Sequence, residues 1–308
     1  MSTPTVYSPQ RTAASRFEPI RGLQYHINSW GDAPLASPLR PPLVMVHGWM
    51  DVGASYQFAV DALARADGFD RWVLAPDWRG FGRSTSGDVD SYWFPDYVGD
   101  LDALIDRVSP DGPVDLVGHS MGGNVVMLYA GIRPQRVRRL VNLEGFGMPA
   151  TQAQQAPGRM AQWLDELKKP ERLRPYPSRQ ALAERLMAND PLLTPDKADW
   201  LAPHWGQPQP DGSWVLQADP AHKRINPVLY QVPEVLATWA CITAPLLWVE
   251  GDRSTPEKHW GNRYSKAEFH QRLTHVKDVR RELLSPAGHM LHHDQPEALG
   301  QLLSKFLA

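Results

Sequence analysis

Short apolar runs recur along this chain and alternate with segments of helical periodicity. Most of the runs contain valine, and they occupy residues 43–46, 72–75, 114–117, 140–143, 246–249 and, more weakly, 281–284. Apolar residues spaced three and four apart lie between them at residues 56–66, 97–108, 121–131 and 297–307. Strands that are buried on both faces have the first pattern, and amphipathic helices have the second. The alternation predicts an α/β fold with a mostly parallel central sheet and helices on both faces.

One long stretch interrupts the alternation. Residues 148–240 contain no convincing strand pair for a parallel sheet, but Met160, Trp163, Leu164 and Leu167 are spaced as one face of a helix. Thr194-Pro195 is typical of a helix start, because threonine caps and proline fits the first helical position. A helical lid inserted between two strands would cover the carboxyl ends of the sheet, where open α/β sheets bind ligands.

These patterns predict four segments. Residues 1–16 are polar and rich in Pro, Ser and Thr, which favours a flexible leader or a surface strap. Residues 17–147 and 241–308 form the predicted core, and residues 148–240 form the predicted helical cap.

Composition excludes several classes of partner and site. The net charge of the 308-residue chain is −2 and no run of five like charges occurs, which argues against nucleic acid and favours a small, uncharged partner. Cys241 is the only cysteine, so neither an intrachain disulfide nor a multi-thiolate metal site can form. Without a phosphate-binding loop or a metal-binding helix motif, we expect no cofactor and no metal.

The chain also lacks an apolar N-terminal segment and a membrane-spanning segment, so we expect a cytoplasmic protein. We expect it to be a monomer or a homo-oligomer.

The strongest catalytic motif is the sequence G-H-S-M-G-G at residues 118–123. It follows a predicted strand and opens a predicted helix, which is the context that gives a G-x-S-x-G motif meaning. A serine on such a sharp turn is crowded by neighbouring backbone, and glycines at 118 and 122 relieve the crowding. The pattern predicts Ser120 as an exposed nucleophile.

Four motifs in this order resemble the α/β-hydrolase-fold superfamily over nearly the whole chain. They are H-G-W at 47–49, D-W-R-G-F-G-R-S at 77–84, the serine turn, and G-H at 288–289. The segment 47–51 together with Ser55 is similar to the serine hydrolase-like group. This fold hosts many chemistries, so the resemblance implies a fold more firmly than a substrate.

A serine nucleophile needs an imidazole that accepts its proton. The imidazole in turn needs a carboxylate that keeps the ring in the tautomer with hydrogen on the nitrogen facing the carboxylate. The loop around His289 resembles the one that presents the catalytic histidine in this superfamily. Two carboxylates compete for the third role: Asp252 follows the strand after the cap, where most of the superfamily carries its acid, and Glu144 follows the preceding strand. On family position Asp252 is preferred, although either carboxylate can orient an imidazole.

The remaining site residues are predicted from the turns after two strands. The backbone N–H groups of Trp49 and Met121 are the natural oxyanion donors. His47, Gly48 and His119 flank them and are weaker candidates for contact with substrate. His292, His293 and Asp294 resemble a metal cluster in sequence, but adjacent residues rarely converge on one ion.

The predicted activity is hydrolysis of a carboxylic ester of a small, largely apolar substrate through an acyl-enzyme. A serine at position 120 disfavours the dehalogenase and epoxide-hydrolase chemistry that the fold also hosts. Amide hydrolysis, carbon–carbon bond hydrolysis and a role as a non-catalytic ligand receptor remain alternatives.

Overall fold

The computed structural model describes residues 6–66 and 71–308, without the side chains of residues 258 and 259. Its main feature is an eight-stranded sheet with the order β1-β2-β4-β3-β5-β6-β9-β10. The strands are β1 Ala14–Ile20, β2 Leu23–Trp30, β3 Leu43–Val46, β4 Val73–Pro76, β5 Val114–His119, β6 Val137–Leu143, β9 Leu246–Gly251 and β10 Val279–Leu284. The pairs β1–β2 and β2–β4 are antiparallel, and all other neighbours in this sheet are parallel. The carboxyl ends of the parallel strands therefore meet at one edge of the sheet.

Helices cover both faces of the sheet. The helices of the core are α1 Gln57–Arg65, α2 Phe94–Val108, α3 Met121–Ile132, α8 Glu257–Trp260, α9 Lys266–Leu273, α10 Leu291–Asp294 and α11 Pro296–Leu307. In β3, Leu43 and Met45 pack with α1 and α11, whereas Val44 and Val46 pack with α2 and α3. Successive strand residues point to opposite faces, so one four-residue strand contributes to two cores.

The predicted α/β fold is confirmed, and the observed strands contain or overlap the six predicted runs. The β1–β2 hairpin is an addition that the sequence analysis did not identify. β1 is the edge strand and is mostly exposed or partly exposed, whereas β2 is buried from Tyr25 to Trp30 but mixes polar with apolar residues, so neither strand is an apolar run. Gly22, with φ +81°, turns one strand into the other.

The N-terminal segment is more ordered than a flexible leader. Residues 14–16 belong to β1, and the division at residue 16 stays a prediction. Tyr7 donates its hydroxyl hydrogen to Asp61 at 2.7 Å, and the N–H groups of Gln10 and Arg11 donate to the same carboxylate at 3.0 and 2.9 Å. Residues 6–13 therefore lie strapped against α1, whereas residues 1–5 of the predicted leader lie outside the described residues.

The inserted segment, residues 148–240, connects β6 to β9. It contains α4 Ala156–Leu167, α5 Arg179–Asn189, α6 Pro195–Trp205 and α7 Val232–Trp239, together with a small antiparallel pair, β7 Gly206–Pro208 and β8 Trp214–Leu216. The inserted segment therefore contains a two-stranded hairpin in addition to the predicted helices. Trp205 donates its indole N–H to Ser55 of the core at 2.9 Å, so the segment is attached close to the loop that follows β3. None of the helices described has both the length and the apolar character needed to cross a membrane.

Candidate active site

Ser120 lies on the turn between β5 and α3. Its backbone has φ 52° and ψ −114°, a conformation that residues with a side chain rarely adopt. A Cβ at Gly118 would lie 2.4 Å from the carbonyl oxygen of Gly122, and one at Gly122 would lie 2.3 Å from that of Val46. The flanking glycines are therefore a steric requirement of this turn, as the motif predicted.

The structure brings His289 to Ser120. The Nε2 atom of His289 lies 2.9 Å from Ser120 Oγ, a hydrogen-bond distance, although the two residues are 169 positions apart. His289 is placed by the loop between β10 and α10 at the carboxyl edge of the sheet. A nucleophile and a base are therefore within proton-transfer distance.

Glu144 is the carboxylate that meets this imidazole. Its Oε2 lies 3.1 Å from His289 Nδ1, and the residue is 1% exposed. The N–H of Gly251 donates to Oε1 at 2.7 Å, and the hydroxyl of Ser254 donates to Oε2. Glu144 follows β6 with φ 59°, a second strained residue at the strand ends. Both carboxylate oxygens are thus fixed by donors from the neighbouring β9 side of the sheet.

Asp252 occupies a different position, against the loop that leads to His289, and which of the two carboxylates serves as the catalytic acid stays a prediction. Its Oδ2 accepts from the Ser285 hydroxyl at 2.7 Å and its Oδ1 from the Ala287 N–H at 2.8 Å. These two donors, the Ala287 N–H first, hold the pKa of Asp252 below its usual value. Asp252 thus braces the backbone of the loop that leads to His289.

The two residues predicted as oxyanion donors flank the nucleophile turn. Met121 is the first residue of α3, where backbone N–H groups lack partners within the helix. A Cβ on Gly48 would lie 3.1 Å from Ser120 Cβ, so the loop that carries Trp49 runs directly against the nucleophile. The indole N–H of Trp49 donates to the carbonyl of His222 in the inserted segment at 3.3 Å. Their role as donors to an oxyanion remains a prediction.

His47 and His119 support the site from below. His47 is fully buried, and its Nε2 accepts the Trp78 N–H at 2.8 Å while its Nδ1 donates to the Gly48 carbonyl at 2.7 Å. Burial lowers the pKa of His47, which favours the neutral ring that this pattern requires. His119 Nε2 lies 2.8 Å from the carbonyl oxygen of His289 and donates to it. The two rings brace the β3 loop and the His289 loop, and their contact with substrate stays a prediction.

Sequence reasoning missed Ser254 and the contact of Asp51 with two histidines. Ser254 lies in a turn after β9 and has no motif of its own, so only its hydroxyl contact with Glu144 reveals it. Asp51 Oδ2 lies 3.9 Å from His119 Nδ1 and 4.0 Å from His292 Nε2. These residues are far apart in the sequence and form no motif, so the sequence alone could not predict that they lie close together.

Comparison with known proteins identifies the family and supports the fold. Residues 43–302 match the alpha/beta hydrolase family. A serine hydrolase-like protein of Danio rerio is 24% identical over 310 residues, which covers 96% of this chain and 89% of that protein. The 3-hydroxybutyrate-oligomer hydrolase of Cupriavidus necator is 30% identical over 251 residues, which covers 76% of this chain and 78% of the relative. A thioesterase domain from the curacin biosynthetic pathway superposes with a TM-score of 0.81 at 27% identity, over 96% of this chain and 99% of the domain.

The chain belongs to the alpha/beta hydrolase family. Within it, the chain resembles the serine hydrolase-like group, as the segment at 47–51 predicted. The activity that follows at this level is hydrolysis.

Proposed function

We propose that this hydrolase is a serine esterase that cleaves small, largely apolar carboxylic esters through an acyl-enzyme. The observation that carries the proposal is the continuous chain of contacts from Ser120 Oγ to His289 Nε2, at 2.9 Å, and from His289 Nδ1 to Glu144, at 3.1 Å. This arrangement has the geometry of a nucleophile, a general base and a carboxylate that orients the base.

In the acylation step, Ser120 Oγ attacks the ester carbonyl carbon while its proton moves to His289 Nε2. The electron pair of the carbonyl bond moves onto oxygen, and the backbone N–H groups of Met121 and Trp49 donate hydrogen bonds to this oxyanion. His289 then transfers its proton to the leaving alkoxide as the carbon–oxygen bond breaks. The products of this half-reaction are the free alcohol and an acyl ester of Ser120.

In the second half-reaction, water loses a proton to His289 and attacks the acyl carbon. Collapse of this intermediate returns the proton to Ser120 and releases the carboxylic acid. Glu144 stabilises the imidazolium that forms in each half-reaction and keeps the Nδ1 hydrogen on its own side of the ring.

The names of the relatives support ester chemistry. The Cupriavidus necator relative is named for hydrolysis of 3-hydroxybutyrate oligomers, and the superposed solved structure is a thioesterase domain. Oligomers of a hydroxy acid are joined by ester bonds, so both names describe acyl transfer to water. The net charge of −2 and the methionine and tryptophan side chains of the inserted segment favour a substrate without strong charge.

The test uses a fluorophosphonate, which reacts with activated serines, and a series of p-nitrophenyl esters of increasing acyl length. We expect rapid labelling of the wild type, none of Ser120→Ala, and hydrolysis of at least one ester that falls by a factor of about one thousand or more in that variant. The matching p-nitroanilides separate ester from amide hydrolysis.

Two outcomes would contradict the proposal. If the wild type resists labelling and hydrolyses none of the esters, a ligand receptor on the same fold becomes the better interpretation. If the anilides are cleaved faster than the esters, the enzyme class stands but the bond is an amide.

A further inference from the structure

A second group of polar side chains lies buried behind the candidate active site. Asp51 comes from the loop after β3, His119 is the last residue of β5, and His292 lies in α10. They are 3%, 1% and 0% exposed, respectively. We call these three residues the rear cluster.

The rear cluster presents three electron-pair donors to one another. Asp51 Oδ2 lies 3.9 Å from His119 Nδ1 and 4.0 Å from His292 Nε2, and one ligand atom from each residue lies within 4.8 Å of the other two. Within the described part of the chain, none of these three atoms has a hydrogen-bond partner. A buried carboxylate oxygen that faces two ring nitrogens without a partner is costly unless a donor or a cation joins them.

Two of the three residues, His119 and Asp51, have the outer contacts of a prepared metal site, whereas both ring nitrogens of His292 lack a hydrogen-bond partner among the described residues. His119 donates its other ring hydrogen, on Nε2, to the main-chain carbonyl of His289 at 2.8 Å, which leaves the Nδ1 lone pair of a neutral ring directed at Asp51. Asp51 Oδ1 accepts from the Val52 N–H at 2.7 Å and from the Ser55 hydroxyl, which leaves Oδ2 as the available oxygen. Metal-binding histidines and carboxylates are oriented by such contacts at their remote atoms.

We propose that the rear cluster binds one divalent transition-metal ion, with zinc the best fit. Two imidazole nitrogens and one carboxylate oxygen are a common zinc donor set, and nitrogen donors disfavour magnesium and calcium. Zinc at about 2.0–2.1 Å from each atom requires donor separations of about 3.3 Å in a tetrahedral site. Two observed separations are 3.9 and 4.0 Å and the third lies within 4.8 Å, so the three donor atoms must move closer together when the metal binds.

The site is separate from the proposed catalytic groups but coupled to them. His119 joins the two, because one ring nitrogen belongs to the rear cluster and the other holds the backbone of His289. Bound metal would fix His119 and, through it, the loop that presents the base. The proposal does not depend on the proposed esterase function, since metal binding is measured without a substrate.

The experiment strips the wild-type protein with a chelator and titrates it with Zn²⁺ by calorimetry, with elemental analysis of the desalted complex. We expect a stoichiometry near one, a rise in the unfolding temperature with Zn²⁺, and no rise with Mg²⁺ at the same concentration. His292→Phe keeps a planar ring beside Tyr56, whose ring centroid lies 5.2 Å from that of His292, and removes a ligand. We expect it to weaken zinc binding by about 100-fold or more.

His275→Gln is the matched control, because His275 is a histidine outside the rear cluster whose Nδ1 donates to the Arg272 carbonyl at 3.0 Å. It should bind zinc as the wild type does. If His275→Gln loses binding as His292→Phe does, or if both variants retain it, surface histidines hold the ion and the proposal is overturned.

A second measurement covers the case in which His292→Phe does not fold. Co²⁺ bound in a tetrahedral nitrogen and oxygen site absorbs visible light, and we expect this absorption in the stripped wild type and its loss in Asp51→Asn. A wild-type protein that shows neither saturable zinc binding nor a cobalt spectrum overturns the proposal, however the variants behave.

Discussion

Two neighbouring groups of polar side chains, one partly exposed and one buried, differ in how many of their atoms have hydrogen-bond partners. In the first, Ser120, His289 and Glu144 are joined in one chain, and both Glu144 oxygens accept from donors. In the rear cluster, the facing atoms of Asp51 and its two histidines have no partner among the described residues. Protein contacts hold the first group in a geometry suited to proton transfer. The second group instead has polar atoms that lack a hydrogen-bond partner among the described residues, as expected if a ligand binds there.

The largest predicted effect removes the carboxylate from the first group. In Glu144→Gln, the carboxylate that faces His289 Nδ1 becomes a neutral amide that cannot stabilise the imidazolium. We expect kcat to fall by about 10,000-fold, as when a triad acid is replaced by its amide, with little change in KM. Steady-state kinetics on the best p-nitrophenyl ester measure both.

Asp252→Asn is the matched control for that substitution. It disturbs only the Ser285 and Ala287 contacts of the neighbouring loop, so we expect a fall in kcat of less than about tenfold. A larger loss in Asp252→Asn than in Glu144→Gln would restore the ranking that the sequence favoured and would contradict the geometry.

A smaller effect is expected when one donor is taken from the first group. Ser254→Ala removes the hydroxyl that donates to Glu144 Oε2, the same oxygen that contacts His289. A hydrogen bond to a charged group is worth about 1.5–3 kcal/mol, so kcat should fall by about 10- to 100-fold. Ser254→Thr retains a hydroxyl and should recover most of the rate. Equal losses in both variants would mean that Ser254 matters for packing rather than for Glu144.

A stability effect is expected when Ser55, which donates a hydrogen bond to Asp51 of the rear cluster, is replaced. Ser55 donates to Asp51 and accepts from the partly buried Trp205 indole at 2.9 Å, so Ser55→Ala takes one of two donors from Asp51 Oδ1, which keeps the Val52 N–H, and removes the acceptor of the indole. We expect the free energy of unfolding to fall by about 1–3 kcal/mol, measured by urea denaturation. Ser37→Ala, at an exposed turn, should change it by less than about 0.5 kcal/mol. Equal changes in the two variants would show that the Ser55 contacts add nothing.

The smallest effect concerns a buried histidine whose ring nitrogens do have partners. His222 stacks between Phe81 and Tyr92, with ring centroids 3.7 and 3.6 Å away, and its Nε2 donates to the Gly80 carbonyl at 3.2 Å. Burial lowers the pKa of His222 from 6.5 to about 3. Between those two pH values the unfolded chain binds the proton and the folded protein does not, so this residue makes the protein less stable as the pH falls from 6.5 toward 3.

His222→Phe keeps the ring stack and removes the titration. Its unfolding temperature, followed by circular dichroism between pH 7 and pH 4, should therefore decline less steeply than that of the wild type. The same slope in both proteins would show that His222 does not contribute to acid sensitivity.

The inserted segment shows where prediction from sequence loses power. Helical spacing located α4, and Thr194-Pro195 located the start of α6, because these are signals between residues close in sequence. The β7–β8 pair consists of two three-residue strands, which are too short to show a period of two. The boundaries of the inserted segment as a cap, residues 148 and 240, remain a prediction.

The sequence by itself determined the α/β fold, the strained turn at Ser120 and the identity of the residue that would face it, His289. Each of these rests on a local pattern: an apolar run, glycines that only a tight turn needs, or a motif after a strand. Tertiary structure alone decided that Glu144 rather than Asp252 meets the imidazole, and that Asp51, His119 and His292 converge. The physical reason is that neighbouring strand ends place several carboxylates at one edge of the sheet, and the direction of each side chain is set by contacts with residues far away in the chain.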